Sequence, residues 1–412
     1  MQNKGDVAIL RELAKQAAEI AEKEIQTERK NLWRNHNAFS RVRPPVIIRG
    51  GYEMELIRPL LKCEDDFCRG YESNLRGRIL QDTFGDDTII HPWINVRAAF
   101  DLPPEGVFGI PQNDTDRIGD GSLAFHIHGS LKNFDEMSKM VTPYHRIDEE
   151  KTKEDADKLR EMIGDIIEIY VDRSPVWRGW NGDISTQLGY LRGHEQMLYD
   201  MHDHPDELHK LLKFMTDGVL KAQAEAEQAG DWTLADHDNQ VMNYENSLGD
   251  PDPKSGGVSR KKLWGYFAAQ EFASVSPAQH VEFLLNYQIP IMENFAITAY
   301  GCCEDLTNKI GILRKVKNLR RIAVTPFADA KKCAEQIGGD YVVSYRPNPN
   351  LATGYFGDDE IAFILKRDMG HFADNGCFVD ICLKDISTTG GDPLRLNNFT
   401  RIAKEIAENY NA

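Results

Sequence analysis

The fold of this chain is constrained most by a regular alternation of helical and strand patterns in its last third. From residue 276 onward, segments with a helical spacing of apolar residues alternate with short runs rich in Val, Ile and Tyr. The predicted helices are 276–294, 305–316, 328–337, 358–373 and 395–409, and the predicted strands are 296–300, 321–324, 341–344 and 378–383. This alternation is typical of a parallel sheet covered by helices.

Two parallel-sheet folds are disfavoured because their phosphate-binding motifs are missing. No G-x-G-x-x-G follows a predicted strand, and no G-x-x-x-x-G-K-[ST] occurs anywhere in the chain. We therefore predict a (β/α)8 TIM barrel with an N-terminal helical extension. In this prediction residues 1–95 form a helical and irregular extension packed on the barrel, and residues 96–412 form the barrel itself.

The first half of the chain has a weaker pattern. Residues 6–30 carry one apolar helical stripe, whereas residues 31–110 are rich in Arg, Pro and aromatic residues and are predicted to be largely irregular. Further predicted helices are 53–61, 132–140, 148–169 and 206–230, and further predicted strands are 46–48, 94–96, 168–171 and 232–235. The 206–230 helix is the clearest, because Pro205 precedes it and Gly230 follows its last turn.

The composition excludes several classes of partner. At 412 residues and 41% hydrophobic, the chain can bury a large core. Its net charge of −16 argues against binding to nucleic acid, which needs a basic face, and to an anionic membrane surface. No transmembrane run or signal peptide is recognisable, and the seven cysteines lack the spacing of a disulfide framework. We expect a cytoplasmic protein; the sequence does not determine its oligomeric state, and a homodimer is compatible with it.

Polar side chains follow five consecutive predicted strands, at the point where each strand ends. In a barrel these strand ends lie on one rim, which is where TIM-barrel enzymes hold their active sites. The residues are Asp236, His237 and Asp238; Cys302, Cys303, Glu304 and Asp305; Thr325, Phe327 and Asp329; Arg346 and Asn348; and Lys384 and Asp385. Solvation alone does not explain five such strand ends in succession, so this rim is the predicted site.

The adjacent thiols Cys302 and Cys303 are the first candidates for a metal or a reactive group. Neighbouring residues on an extended chain point to opposite faces, so we expect one thiolate at the barrel mouth and the other packed in the core. Cys382 is a further candidate ligand, although a cysteine inside a strand is more often a core residue. Cys63 and Cys68 have no histidine partner at the spacing of a zinc finger.

Three residues outside the thiol motif are also candidates. His237 lies between two aspartates and fits either a zinc ligand, a general base or a solvated loop histidine. Glu271 lies among apolar residues, where a carboxylate needs a partner. Trp180 could belong to an aromatic wall of the site or to the ordinary core.

Several of these motifs resemble the uroporphyrinogen decarboxylase superfamily, in particular its corrinoid-dependent methyltransferase branch. The resemblance is diffuse, spans roughly residues 130–410, and is most specific at Tyr300-Gly301-Cys302-Cys303-Glu304. The other matching pieces are Gly189-Tyr190-Leu191-Arg192-Gly193-His194-Glu195 with Asp200 and Pro205, Asn318-Leu319-Arg320-Arg321, Thr325-Pro326-Phe327-Ala328-Asp329, Arg346-Pro347-Asn348-Pro349 and Leu383-Lys384-Asp385.

The resemblance implies a TIM barrel with its site at the carboxyl ends of the strands. It further implies a zinc enzyme that passes a methyl group between a small molecule and the cobalt of a corrinoid protein, with zinc as the Lewis acid. Members that methylate thiols carry His-x-Cys at this strand end, whereas this chain has Tyr300-Gly301-Cys302. Porphyrinogen decarboxylases carry an Arg-rich motif near the N-terminus, which is absent here although Arg41 and Arg43 lie in that region.

We therefore predict a methyltransferase that moves a methyl group from a small methoxylated or N-methylated compound to a corrinoid protein, assisted by zinc. The alternative is a metal-independent decarboxylase or lyase that acts on a small carboxylate. The predicted site has catalytic Glu271, Tyr300, Asp329 and Lys384, substrate-binding His237, Trp180, Arg346, Asn348 and Asp385, and metal-binding Cys302, Cys303, Cys382 and Glu304.

Overall fold

The computed structural model describes residues 3–111, 115–117 and 125–410. The strands are β1 (Val46–Arg49), β2 (Trp93–Arg97), β3 (Thr115–Arg117), β4 (Phe125–Ile127), β5 (Glu168–Asp172), β6 (Trp264–Phe267), β7 (Ile297–Tyr300), β8 (Leu319–Val324), β9 (Val342–Tyr345) and β10 (Phe378–Lys384). The helices are α1 (Lys4–Glu22), α2 (Glu24–Asn37), α3 (Glu53–Leu56), α4 (Asp66–Thr83), α5 (Glu149–Ile163), α6 (Ser185–Arg192), α7 (His194–Asp203), α8 (Pro205–Ala229), α9 (Pro277–His280), α10 (Asn286–Met292), α11 (Ile310–Leu313), α12 (Ala330–Ile337), α13 (Asp358–Asp374) and α14 (Leu394–Glu408). A π-helical turn, Val281–Leu285, joins α9 to α10.

Six strands form one parallel half-barrel sheet in the order β1-β10-β9-β8-β7-β6. A separate parallel pair joins β2 to β5, and β3 pairs with β4 in an antiparallel hairpin. The predicted alternation of helices with parallel strands is therefore confirmed. Closure of the strands into a complete (β/α)8 barrel stays a prediction.

The two faces of the half-barrel differ in chemistry. Val343, Ile381 and Leu383 face outward and belong to the large apolar core shared with the helices. Period-two alternation along a strand places their neighbours on the inner, concave face. The inner face has its own small apolar clusters, and polar side chains lie between them.

A buried ion pair lies deep on the inner face, well below the strand ends. Arg321 of β8 donates to Asp380 of β10 at 2.5 Å, and Asp380 also contacts His36 at 3.1 Å and Ser344 at 3.3 Å. Burial raises the pKa of Asp380, but Arg321 and His36 lower it more, so the net pKa is below its usual range. Burial lowers the pKa of His36, which therefore donates as a neutral imidazole at neutral pH.

The N-terminal region is more ordered than the sequence indicates. Helix α4 lies within the range predicted to be irregular, and together with α1, α5, β2 and β5 it encloses a second apolar core. Strand β1 falls inside the predicted extension of residues 1–95, yet it is an edge strand of the main sheet. The domain boundary itself stays a prediction.

Two other sequence predictions are corrected. The strand predicted at 232–235 is a capped turn, because Thr233 and Asp236 satisfy each other's backbone and side-chain groups in a short 3-10 helix, Leu234–Asp236. The strand of that part of the chain is β6, which the sequence reading missed. The helix predicted at 305–316 is reduced to α11. None of the helices in the described ranges combines the length and apolar character needed to cross a membrane.

Candidate functional site

A cavity of about 460 Å³ opens at the carboxyl ends of β7, β8, β9 and β10. This size suits a small molecule. Six residues predicted for the site line it, namely Cys302, Cys303, Arg346, Asn348, Lys384 and Asp385. The remaining lining residues are Pro326, Phe327, Pro347, Pro349 and Asn350. The six side chains that the sequence pattern brings to one rim therefore line one cavity.

Gly301 determines which way the thiol motif faces. Its φ is +100°, and a Cβ atom there would lie 2.8 Å from Leu306 Cδ1, so glycine is required by both conformation and space. Tyr300 before it points outward beneath the helices, where its hydroxyl contacts His280 at 2.9 Å and Gln288 at 2.7 Å. Cys302 after it packs with the inner-face cluster. The prediction that Tyr300 occupies the catalytic site is therefore corrected.

Cys302 has the electrostatic surroundings of a thiolate. Its Sγ lies 3.0 Å from Lys384 Nζ, 3.6 Å from Cys303 Sγ and 4.0 Å from Gln240 Oε1. The hydrogen bond with Cys303, together with the charges of Arg346 and Lys384, lowers the pKa of Cys302 to about 6 against the effect of burial. The side chain is only 3% exposed, so the charge is held at the inner end of the cavity.

Cys303 complements Cys302 as the protonated member of the pair. Its Sγ lies 3.4 Å from Lys384 Nζ and 3.5 Å from Asp385 Oδ2, and it is partly exposed in the cavity. The hydrogen bond with Cys302, burial and the negative charge of Cys302 raise the pKa of Cys303. Burial and Arg346 oppose the positive charge of Lys384, but the Cys302 thiolate raises the net pKa of this lysine. Lys384 is therefore an ammonium shared by two sulfurs.

Arg346 and Glu304 hold the backbone of the thiol loop. Arg346 Nη1 donates to the Cys302 carbonyl at 2.5 Å. The two carboxylate oxygens of Glu304 accept the N–H groups of Cys302 and Ala269, both at 2.8 Å. Glu304 is thus occupied as a backbone acceptor and is not directed at the cavity, which corrects its prediction as a metal ligand.

Two residues beside Cys302 were missed by the sequence reading. The buried Tyr266 hydroxyl lies beside Cys302, and burial together with the charge of Cys302 raises its pKa. Gln240 reaches Cys302 from a long irregular segment. Gln240 and Asp385 both have positive φ values, +69° and +61°, and such strained residues cluster at functional sites. Strand β6 reads Trp-Gly-Tyr-Phe and is buried throughout, so no alternation marks Tyr266, and nothing local marks Gln240.

Glu271 and Asp329 do not line this cavity, so both are corrected as its catalytic residues. Asp329 lines a neighbouring cavity of about 420 Å³ that shares Asn348 and two prolines with it. Glu271 Oε2 accepts a hydrogen bond from the Ser185 hydroxyl at 2.5 Å, beside α6. Asp329 is the N-cap of α12, where its Oδ1 accepts the Lys332 N–H at 3.1 Å. Neither is among the described residues that line the cavity.

His237, Trp180 and Cys382 also have structural surroundings. Both ring nitrogens of His237 are engaged, with Gly249 O at 3.0 Å and the Trp264 N–H at 3.1 Å, and burial lowers its pKa to about 4. Cys382 is buried in a separate inner-face cluster. Trp180 packs edge-on against Tyr266, so it supports the site from behind rather than lining it.

The predicted zinc shell of Cys302, Cys303, Cys382 and Glu304 is not assembled. Structural and catalytic zinc ions take Cys, His, Asp or Glu donors in a tetrahedral arrangement. Among the described residues, no group of three such side chains is arranged to hold a metal ion. The group nearest to both thiols is the Lys384 ammonium, a cation in the place where a metal would compensate their charge. The residues present therefore do not fit the predicted shell.

The thiolate assignment predicts a selective alkylation profile. Iodoacetamide labelling of Cys302, followed by peptide mass analysis, is expected to be half-maximal near pH 6, because the thiolate is the reactive form. Cys333 is a suitable internal comparison, since burial raises its pKa to about 11. A Cys302 profile centred near the value of a free thiol, about 8.5, would contradict the assignment.

Comparisons with known proteins give a fold but no family. No family model and no curated protein sequence matches the chain. The structure is similar to that of a methyltransferase from Methanosarcina mazei, with a TM-score of 0.51 and 14% sequence identity over 92% of this chain and 98% of that one. At this identity the similarity shows a shared fold over nearly the whole chain. Membership of the uroporphyrinogen decarboxylase superfamily stays a prediction.

Proposed function

We propose that the chain is a methyltransferase that removes a methyl group from a small methoxylated or N-methylated compound in the 460 Å³ cavity. The observation that carries the proposal is the Lys384 ammonium, held 3.0 Å from the Cys302 thiolate at the inner end of that cavity. The fold shared with a methyltransferase supports it. Zinc has no part in the proposed reaction, because the side chains around the thiols do not form a zinc-binding set among the described residues.

Lys384 has the properties of a general acid for this reaction. When the bond between the methyl carbon and its oxygen or nitrogen breaks, the electron pair goes to the heteroatom. Lys384 would donate a proton to that atom, which makes it a better leaving group. Cys302 keeps Lys384 charged and fixes its position, and Arg346 fixes the Cys302 loop through the carbonyl contact.

The methyl acceptor is proposed to be a corrinoid carried by a partner protein, whose cobalt would take up the methyl group. The cavity is sized for a small molecule, so such a partner would approach the mouth. Phe327 lies at that mouth and is 75% exposed, which fits contact with a large ring. Pro326, Pro347 and Pro349 give the mouth rigid apolar walls without N–H donors.

A carboxy-lyase is the second candidate function, and one observation favours it. Arg346 and Lys384 place two cations on the same cavity of an otherwise acidic chain. Two cations suit the carboxylate of a substrate and the charge that develops as carbon dioxide leaves. This reaction would need no corrinoid and no methyl group.

An anaerobic assay with cob(I)alamin as the acceptor tests the proposal. A panel of methoxylated and N-methylated compounds is incubated with the enzyme, and methyl–cobalt formation is followed by absorbance. We expect turnover with at least one compound and its loss in Cys302→Ala. Asp340→Asn is the control and should keep full activity, because Asp340 forms an exposed ion pair with Arg314 and does not line the cavity.

Two further measurements on the same samples separate the alternatives. Carbon dioxide release from carboxylate compounds without cobalamin, together with no methyl transfer, would replace the methyltransferase by the carboxy-lyase. Metal analysis of the purified protein is expected to show no stoichiometric zinc. Stoichiometric zinc that is lost in Cys302→Ala would contradict the conclusion drawn from the donor set.

A further inference from the structure

We propose that Cys302 and Cys303 are an oxidation site, at which a hydroperoxide converts the two thiols into a reversible vicinal disulfide. The two Sγ atoms are 3.6 Å apart. Adjacent side chains on an extended strand would point to opposite faces, but these lie in the loop that follows Gly301, and both turn toward Lys384. The two sulfurs are therefore already in contact, and they would approach to about 2.05 Å to form the bond.

The groups around the pair supply the chemistry that oxidation needs. The Cys302 thiolate attacks one oxygen of the hydroperoxide, the O–O bond breaks, and Cys302 becomes a sulfenic acid. Lys384 donates a proton to the alkoxide or hydroxide that leaves and later recovers it from water. The Cys303 sulfur then attacks the Cys302 sulfur, and the sulfenic oxygen leaves as water with the Cys303 proton. The two sulfurs lose two electrons, and the hydroperoxide gains them.

Selectivity follows from the surroundings of the other thiols. Cys303 is partly exposed and Cys302 is buried, but both line the cavity. The other five cysteines are buried and do not line it. Burial raises the pKa of Cys63 to about 12 and that of Cys68 to about 11, so both stay protonated and unreactive. An oxidant that enters the cavity can therefore contact both the Cys302 thiolate and the Cys303 thiol.

The modification would remove the negative partner of Lys384 and stiffen the loop that lines the cavity. A disulfide between adjacent residues closes a small, strained ring, and strained disulfides are the ones that are easily reduced. The site would therefore respond reversibly to oxidant. This inference concerns the thiols alone and does not depend on the proposed methyl transfer.

The experiment exposes the reduced full-length chain to a small excess of hydrogen peroxide and then alkylates it. We expect free thiols to fall from seven to five, a mass loss of two hydrogens in the peptide that contains Cys302 and Cys303, and full recovery with dithiothreitol. In Cys303→Ser the disulfide is absent, and dimedone should label the sulfenic acid on Cys302. Cys302→Ser should remain largely unoxidised.

Two results would overturn the proposal. One is conversion of Cys302 to sulfinic acid in the unmodified chain while Cys303 stays free. The other is oxidation spread over Cys63 and Cys68 at a similar rate. Circular dichroism of each variant confirms that it is folded. Because every readout is a mass or a thiol count, the outcome is independent of whether the chain transfers methyl groups.

Discussion

Replacing Lys384 by methionine is expected to lower the rate of methyl transfer by about 10²- to 10⁴-fold, the range typical for loss of a general acid. The ammonium is also the nearest cation to Cys302, at 3.0 Å. Its removal should therefore raise the pKa of Cys302. Alkylation as a function of pH measures this shift without any substrate.

The control for Lys384 is chosen from the protein surface. Lys332→Met removes an exposed lysine that pairs only with the N-cap residue Asp329, so turnover and the Cys302 profile should stay unchanged. Lys384→Arg keeps the charge but moves the donor atoms, and it should keep the low pKa of Cys302 while turnover falls. Normal turnover in Lys384→Met, with the expected pKa shift, would mean that Lys384 tunes the thiol but donates no proton.

Replacing Asp380 by alanine is expected to destabilise the fold by about 3–5 kcal/mol, the usual result of removing one partner of a buried ion pair. Arg321 is 1% exposed, so it would be left as an uncompensated buried charge. Urea denaturation followed by circular dichroism measures the loss. A change below about 1 kcal/mol would contradict a strong ion pair at this position.

The lowered pKa of Asp380 also predicts how the free energy of unfolding depends on pH. Its pKa is lower in the folded chain than in the unfolded one, so its contribution is fully present above about pH 4. The contribution is lost as the pH falls through the lower folded value. Asp340→Ala is the matched control, because its pair with Arg314 at 2.8 Å is exposed and should contribute at most about 1 kcal/mol.

The sequence predicts the cavity well because the carboxyl ends of parallel strands must meet. Cys302 and Arg346 follow β7 and β9, Lys384 is the last residue of β10, and the register of the sheet brings the three to one mouth. The parallel order therefore follows from alternation alone. Closure into a barrel depends on β2 and β5, which in the described part of the chain form a parallel pair separate from the main sheet.

Residues that fail as site residues do so for reasons that spacing does not show. His237 and Glu304 carry ligand-type side chains at predicted strand ends, but in the structure both form hydrogen bonds with backbone groups instead. Asp329 begins a helix, and the N-cap role satisfies its carboxylate. Gln240 comes from a segment without periodic pattern, and Tyr266 was hidden in a strand that the pattern placed elsewhere.

Gly301 has a consequence for anyone who would redesign this centre. A Tyr300→His substitution restores the spelling His-x-Cys, yet its imidazole would face His280 and Gln288 beneath the helices, on the opposite side of the sheet from Cys302. The first and third residues of such a motif thus lie on different faces of the sheet when the glycine between them has a positive φ. A metal centre here would be engineered through Lys384 and Gln240, which already face the thiolate.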